Sequence, residues 1–406
     1  MILEGKRIVL GVTGSIAAYK AADLASKLTQ AGAEVHVILT PAAQQFVTPL
    51  TFHSITHQPV VTGWWQPEHQ VAIQHVALAE TADAVVIAPA TADAIAKLAH
   101  GLAGDPLGGT VLATRAPVLV APAMDGHMYE NPATQANVRL LEGRGFTFAG
   151  PESGRLASGL SGLGRLTSTE TILGALRQLL GRHGDYQGKT VVVSAGPTEE
   201  PLDPARHITN RSSGKMGFAI AEAARDRGAR VVLVTGPVAL PDPYGVDIVR
   251  VRTALELQAA LRAAVRGAAA LIMAAAPADF RPAAVSAHKL KKGPEDAMSL
   301  DLVKNPDILA GLKGEFIKVG FAAESQELVS NAGAKLRDKG LDLIVANDIT
   351  APDSGFGVDT NRVLLMDRDG TVESLPLLTK AEVAGRILDR VTQITARVKP
   401  GTVSSN

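Results

Sequence analysis

Two doubly wound α/β domains in tandem are predicted by three observations. Short β-branched runs alternate with longer segments of helical apolar spacing, the order that builds parallel sheets. That alternation starts twice, at Arg7 and again at Thr190, with a polar stretch between. The chain has 406 residues, too many for one hydrophobic core and suited to two. The halves share no repeated sequence, so a fusion is expected and not an internal repeat.

Arg7 to Val12 (RIVLGV) reads as the first strand and Thr13-Gly14-Ser15 as the turn after it. Ile16 to Gln30 is Ala-rich, free of proline and apolar at helical spacing, so a helix follows. Ala31-Gly32-Ala33 ends it, and Val35 to Leu39 is a second strand that closes a βαβ unit. Ala84 to Ala88 and Val118 to Ala121 read as further strands, each running into a proline-bearing loop. The first domain is assigned to residues 1–180 and a linker to 181–189. In the second, Thr190 to Ser194, Val231 to Val234, Leu271 to Ala275 and Leu343 to Val345 read as strands, and Gly214 to Arg227 as a helix. That domain is assigned to 190–397, and the small polar tail 398–406 is expected to fray.

Composition narrows the function. Hydrophobic residues at 46% and charged residues at 20% exclude a disordered or coiled-coil chain. Lys+Arg and Asp+Glu are both 40, so no whole-protein field draws in nucleic acid or an anionic membrane, and neither is expected as a partner. Cysteine is absent, which excludes disulfides, thiolate metal sites and cysteine nucleophiles. The longest apolar stretch, Gly267 to Ala278, is shorter than the roughly 20 residues a membrane helix needs. The opening MILEGKRIVLGV reads as a strand and not as a signal peptide, so a cytoplasmic location is expected.

In the first half, Gly11-x-x-Gly14-Ser15-Ile16 lies between a strand and a helix, either as an anion cradle or as an ordinary tight turn. It lacks the third glycine of the dinucleotide fingerprint. Thr40 ends the second strand where an acidic residue would hold a ribose, which favours a mononucleotide. Ala88-Pro89-Ala90-Thr91-Ala92-Asp93 follows one strand, and Pro122-Ala123-Met124-Asp125-Gly126-His127-Met128-Tyr129 follows another. Met124 and Met128 serve either the core or a substrate, and Asn131 is positioned to cap the next helix. Gly154 to Leu166 is glycine-rich and reads as a mobile flap.

In the second half, Ser194-Ala195-Gly196-Pro197-Thr198 is another small-residue turn after a strand. The run Asp203 to Gly217 ends in Asn210-Arg211-Ser212-Ser213-Gly214-Lys215-Met216-Gly217. Thr209 and Met216 break the P-loop pattern, yet Ser-Ser-Gly-Lys at a helix start suits phosphate, with Ser213 as the helix cap. Met273-Ala274-Ala275-Ala276-Pro277-Ala278-Asp279-Phe280-Arg281, Lys289-Leu290-Lys291-Lys292, Lys304-Asn305-Pro306-Asp307-Ile308 and Gly320-Phe321-Ala322-Ala323-Glu324 follow in order. Lys335 and Lys339 share a face if their segment is helical. Taken bare, such lysines form a solvated surface.

Taken in this order, the first-half motifs resemble the flavin-dependent cysteine decarboxylase family. Almost end to end, the chain resembles the bacterial bifunctional phosphopantothenoylcysteine decarboxylase/phosphopantothenate–cysteine ligases of coenzyme A synthesis. The resemblance implies a flavodoxin-like flavoprotein domain followed by a Rossmann-like nucleotide-binding ligase domain. It places FMN on Gly14, Ser15, Thr40 and Ala88 to Thr91 (Ala88, Pro89, Ala90, Thr91), and makes His75 in QHVAL the catalytic base. Flavin would oxidise the substrate's –CH2–SH to a thioaldehyde, an electron sink for loss of carbon dioxide, and then return hydride. Removal of the thiol proton suits histidine near neutral pH.

For the second half, the resemblance implies a site where CTP activates 4′-phosphopantothenate as an acyl-cytidylate that cysteine then attacks. Lys289 would supply charge and Asn210 would stabilise the intermediate. Met273, Ala274, Ala275, Asp279, Pro306, Asp307, Ile308, Leu309, Phe321, Lys335 and Lys339 would line the CTP site. Mg²⁺ is expected with the triphosphate, its protein ligands unassigned; Asp279 could instead orient the base or ribose. Assembly would be a homo-oligomer with a trimeric decarboxylase core and paired ligase domains, dodecamer-like overall.

Two positions depart from the family's pattern. Asp125 stands where an asparagine usually binds the substrate carboxylate, so it must be protonated, rotated away or paired. Ser158 stands where many relatives have the cysteine that protonates the enethiolate. A serine hydroxyl is a far weaker acid than a thiol. Ser158 relaying a water proton, Asp125 donating one, or a failed reduction are the three outcomes. An active ligase with an impaired flavin half, or a regulatory flavoprotein scaffold, are the competing readings.

Overall fold

Burial on both faces makes the first strands of each half nearly continuous hydrophobic runs, as parallel sheets covered by helices require. A computed structural model describes residues 2–64, 74–157, 159, 161–291, 298–324, 328–348, 355 and 357–398. The chain divides into two compact units, Met1–Gly181 and Arg182–Asn406.

In the first unit, β1 (Arg7–Val12) is buried along all but its first residue. Helix α1 (Ala18–Gln30) buries Ala18, Ala21, Leu24, Ala25 and Leu28, one stripe at helical spacing. Then come β2 (Glu34–Leu39), α2 (Pro49–Thr56), α3 (Gln74–Thr81), β3 (Ala84–Ala90), α4 (Ala92–Ala99) and α5 (Pro106–Ala113). They are followed by β4 (Val118–Pro122), α6 (Gly126–Glu130), α7 (Pro132–Gly143), β5 (Thr147–Phe148), β6 (Glu152–Arg155), β7 (Ser161–Arg165) and α8 (Thr169–Gly181). The parallel sheet runs β2-β1-β3-β4-β5, the flavodoxin-like order. Thr91, Asp105 and Asn131 cap α4, α5 and α7 through their side-chain oxygens.

Within the segment read as a mobile flap, β6 and β7 pair as an antiparallel hairpin. Its glycines answer a close approach. A Cβ on Gly164 would lie 2.3 Å from the Met124 carbonyl oxygen, and the Gly164 carbonyl accepts the Met124 N–H at 2.9 Å. Helix α1 also begins two residues later than the apolar pattern indicated, because Ile16 and Ala17 stay in the turn.

The second unit comprises β8 (Thr190–Ala195), β9 (Glu199–Asp203), β10 (Arg206–Thr209), α9 (Lys215–Arg225), β11 (Arg230–Thr235), β12 (Asp247–Arg250) and α10 (Ala254–Ala264). Then follow β13 (Ala270–Met273), β14 (Phe280–Pro282), β15 (Leu302–Lys304), α11 (Ile308–Gly311), β16 (Ile317–Glu324), α12 (Leu328–Asp338) and β17 (Leu343–Asp348). Last are β18 (Thr360–Asn361), β19 (Val363–Asp367), β20 (Val372–Ser374), β21 (Leu378–Thr379) and α13 (Lys380–Val398). The main sheet runs β12-β11-β8-β13-β16-β17-β19-β20. Its first six strands are parallel in the doubly wound order 3-2-1-4-5-6, and β19 and β20 extend them antiparallel.

Two apolar clusters cover its faces. One joins Phe218, Ile220 and Ala224 of α9 to Val383, Ile387 and Val391 of α13. The other contains Leu257 and Leu261 of α10 with Ala332 and Leu336 of α12. Within the stretch 181–189, Tyr186 is buried with its hydroxyl donating to the Leu388 carbonyl at 2.8 Å, and Asp185 pairs with Arg227 at 2.5 Å. No described helix is long and apolar enough to cross a membrane.

Candidate active sites

The first unit opens a cleft of about 1160 Å³ beyond the carboxyl ends of β1 and β3, where the strand order reverses. Ligands of open α/β sheets bind at this switch point. Thr13 ties the two strands' exits together. Its hydroxyl donates to the Pro89 carbonyl at 2.8 Å and accepts the Thr91 N–H at 3.0 Å. Gly14 packs so tightly that a Cβ there would lie 2.4 Å from that of Ala42. The cap residue of α1, Ala17, makes no side-chain bond, and the N–H groups of Ala17, Ala18 and Lys20 are taken up within the turn itself.

Gly14, Ser15, Thr40 and Thr91 all line this cleft. The Ser15 hydroxyl accepts the Ala17 N–H at 3.2 Å, and that of Thr40 accepts the Ala43 N–H at 3.3 Å. Ala88, Pro89 and Ala90 lie behind the wall in β3, with Ala88 and Ala90 fully buried. A tight glycine turn and hydroxyls at a helix N-terminus converge on an apolar cleft, a set that fits a flavin mononucleotide.

Met124, Asp125 and Met128 line the same cleft, and Met124 also packs on the core. Asp125 is paired: its carboxylate accepts the His127 N–H at 3.0 Å as the cap of α6. His75 does not line the cleft. It is half-buried on α3, over Gly109 of α5, with its ring edge-to-face with Trp64 at 4.8 Å. Ser158 lies outside the described residues. Lys20 and Lys97 line the cleft without a motif to mark them; Lys97 looks in sequence like half of an i,i+4 pair with Asp93, which it also forms at 2.7 Å.

The second unit has a cleft of about 520 Å³ at the ends of β8 and β13, again the switch point. It gathers Asn210, Ser212 to Met216, Met273 to Asp279, Lys304 to Leu309, Phe321 and Lys339. Asn210 donates its amide to the carbonyls of Ala276 and Pro277, both at 3.1 Å, joining two distant motifs. Asn305 donates to the Ala278 carbonyl at 2.8 Å, and Lys339 pairs with Asp307 at 3.2 Å. The cap of α9 is Gly214 and not Ser213, because the chain turns at Gly214 and Lys215 already opens the helix.

Lys289 and Lys335 do not line this cleft. Lys289 is exposed in the loop after β14, and Lys335 lies on α12, one turn before Lys339. Asn361 and Lys380 were not foreseen and do line it. Lys380 is 6% exposed, and its ammonium donates to the Gly355 carbonyl at 3.0 Å and to that of Val358. Burial, reinforced by Lys215, lowers its pKa. Lys215 in turn donates to the Gly357 carbonyl at 3.0 Å and to Asp359 at 2.7 Å. Among the described residues no group of three His, Cys, Asp or Glu side chains could hold a metal ion.

Comparison with known proteins assigns both halves. The flavoprotein family model matches residues 2–181, and that of the DNA/pantothenate metabolism flavoprotein C-terminal domain matches 186–395. The coenzyme A biosynthesis bifunctional protein CoaBC of Bacillus subtilis (strain 168) is 43% identical over 400 residues, covering 97% of this chain and 98% of the relative. That of Escherichia coli (strain K12) is 45% identical over 397 residues, covering 96% and 98%. Among solved structures, a CoaBC C-terminal domain is 39% identical over 52% of this chain and 97% of its own, with a TM-score of 0.45. A PPC decarboxylase mutant complexed with pantothenoylaminoethenethiol is 31% identical over 43% and 97%, with a TM-score of 0.38. With relatives above 40% identity along nearly its whole length, the chain belongs to the family of bifunctional coenzyme A biosynthesis proteins, which join a flavoprotein decarboxylase to a phosphopantothenate–cysteine ligase.

Proposed function

We propose that the second unit condenses 4′-phosphopantothenate with cysteine at the expense of CTP, and that the first decarboxylates the product to 4′-phosphopantetheine. The supporting observation is the second cleft, where Asn210, the Ser212–Lys215 turn and the loops after β13 and β15 meet although sequence separates them widely.

A carboxylate is a poor electrophile. Its oxygen attacks the α-phosphorus of CTP, the bond to the β-phosphate breaks, and pyrophosphate leaves with that electron pair. Cysteine's amine then attacks the acyl carbon, loses a proton and expels CMP. Both steps crowd anions together, so they need fixed cations and donors. Lys215, Lys304, Lys339 and Lys380 border the cleft, and Lys289 is assigned a further charge from the loop outside its lining. Asn210, its amide nitrogen held by two carbonyls, borders the cleft and is assigned to the attack on the acyl group. Met273 to Asp279, Pro306 to Leu309 and Phe321 receive the nucleoside. Mg²⁺ fits a cleft that offers the Asp279 carboxylate, Asp307 being engaged by Lys339 and the Ala310 N–H, because this ion takes most of its oxygens from substrate phosphates and water.

In the first unit, Gly14, Ser15, Thr40 and Thr91 would hold FMN. The bound flavin supplies the two-electron chemistry that makes carbon dioxide loss possible. His75 serves as the base for the substrate thiol. Since it lies off its own chain's cleft, it serves the cleft of a neighbouring copy in a trimeric core. Exposed apolar side chains on the cleft's own lining, Ile16, Tyr19, Leu102 and Met128, support such a contact. Pairing of ligase units would complete a dodecamer-like assembly. The phosphorylated substrate and CTP are cytoplasmic metabolites, which places the enzyme in the cytoplasm.

Purified protein should carry flavin absorbance and release pyrophosphate only with CTP and phosphopantothenate together. Colourless protein with normal decarboxylation, or pyrophosphate release without phosphopantothenate, would refute the assignment.

A further inference from the structure

The loop that carries Lys289 is tied to the β9–β10 hairpin by a buried carboxylate. Asp203 ends β9 with its side chain 0% exposed. One of its oxygens accepts the N–H groups of Ala205 and Arg206, at 2.8 and 2.9 Å. The other accepts Nε and Nη2 of Arg206, at 2.9 and 2.6 Å, and the backbone N–H of Leu290 at 3.1 Å. Arg206 Nη2 also donates to the Leu290 carbonyl at 2.8 Å. Both backbone polar groups of Leu290 therefore end on one ion pair, and the Ser286 N–H adds a bond to the Leu202 carbonyl at 3.0 Å.

The bonds to Ala205 and Arg206 alone would make an ordinary Asx turn for the hairpin. The bonds to Leu290 reach across 87 and 84 residues and do nothing for that turn. They do restrict a loop without regular structure at the residue next to Lys289. A long lysine on a free loop samples many positions, and ordering it costs entropy in each catalytic cycle. Fixing the backbone beforehand removes part of that cost.

We infer that Asp203 is a positioning residue for the ligase reaction, its carboxylate fixing Leu290 so that the adjoining Lys289 is presented in one place. The inference rests on the reading of Lys289 as the charge that assists carboxylate activation.

The test uses the full chain with Asp203→Asn, which keeps an acceptor for the turn but sets an amide against the Leu290 N–H. At saturating substrate, kcat for pyrophosphate release should fall by about tenfold or more, with the KM for CTP changed less than about twofold. Trypsin should cut after Lys289 and Lys291 several-fold faster (roughly), while flavin content stays unchanged. Leu290→Pro removes the single N–H donor and leaves the hairpin's own bonds, so it should lose kcat to the same degree. With enzyme high enough to read residual rates, Asp203→Asn/Lys289→Gln should be no slower than Lys289→Gln alone. Wild-type kcat and cleavage in Asp203→Asn, or a further loss in the double variant, would overturn the inference. Unimpaired pyrophosphate release in Lys289→Gln would instead refute the role given to Lys289, with the cleavage rate still reporting whether the clasp holds.

Discussion

Asp125 shows how one residue can be placed by sequence while its purpose needs coordinates. The residue pattern located it in the loop after β4, beside a bound carboxylate by resemblance. The structure adds that its carboxylate caps α6 through the His127 N–H. Asparagine caps as well as aspartate, so Asp125→Asn should leave stability within about 0.5 kcal/mol. A loss confined to chemistry would then report the carboxyl group itself. Mass spectrometry of the product decides it. We expect the variant to release carbon dioxide but accumulate product short of its final reduction, and full reduction would remove Asp125 as proton donor. Ser158→Ala should retain much activity.

Asp203 gives a second test at this scale. Arg206 first, and then three backbone N–H groups, hold its carboxyl far below the ordinary value of 3.8. The folded state thus favours the anion, and its stabilisation is present in full above the unfolded value. As pH falls below about 4, protons bind the unfolded chain first and this contribution is lost towards the lower folded value. Asp203→Asn should therefore lower the calorimetric unfolding temperature at neutral pH and narrow its gap to wild type as pH falls below about 4. A gap that widens on acidification would contradict the ion pair.

At the scale of elements, the parallel strands were legible because β1, β3, β8 and β13 are short, apolar and followed by small-residue turns. Hairpin β6–β7 was not, because a strand that passes close to the Met124–Gly126 backbone must be glycine-rich, and glycine is also the mark of a loop. Gly164→Ala should push this hairpin off the loop that carries Asp125. Decarboxylation should fall by about tenfold or more with ligase activity unchanged; unchanged decarboxylation would separate the hairpin from that site. Lys380 was missed for a related reason. A lysine opening an amphipathic helix reads as solvated, and only the fold shows it buried against Gly355 and Val358. Lys289 and His75 have the reverse history, named through family resemblance and placed off their own chain's clefts.

At the scale of the molecule, the chain is two α/β units whose clefts each open at a strand-order reversal. That much was legible from two βαβ openings, since strand–turn–helix order fixes a parallel sheet and its switch point. Each unit has its own core. Lys289→Gln should accordingly cut CTP-dependent pyrophosphate release to a small residual rate and leave the flavin bound, and loss of flavin in that variant would show the units to be interdependent. Light scattering should give a multiple of the trimer mass, whereas a monomer would leave His75 without a cleft to serve. The most direct measurement supplies the full chain with CTP, cysteine and 4′-phosphopantothenate and follows pyrophosphate and carbon dioxide together. The two should appear one for one, and neither should appear when CTP is omitted. Pyrophosphate without carbon dioxide would contradict the decarboxylase half of the account, and no pyrophosphate at all would contradict the ligase half.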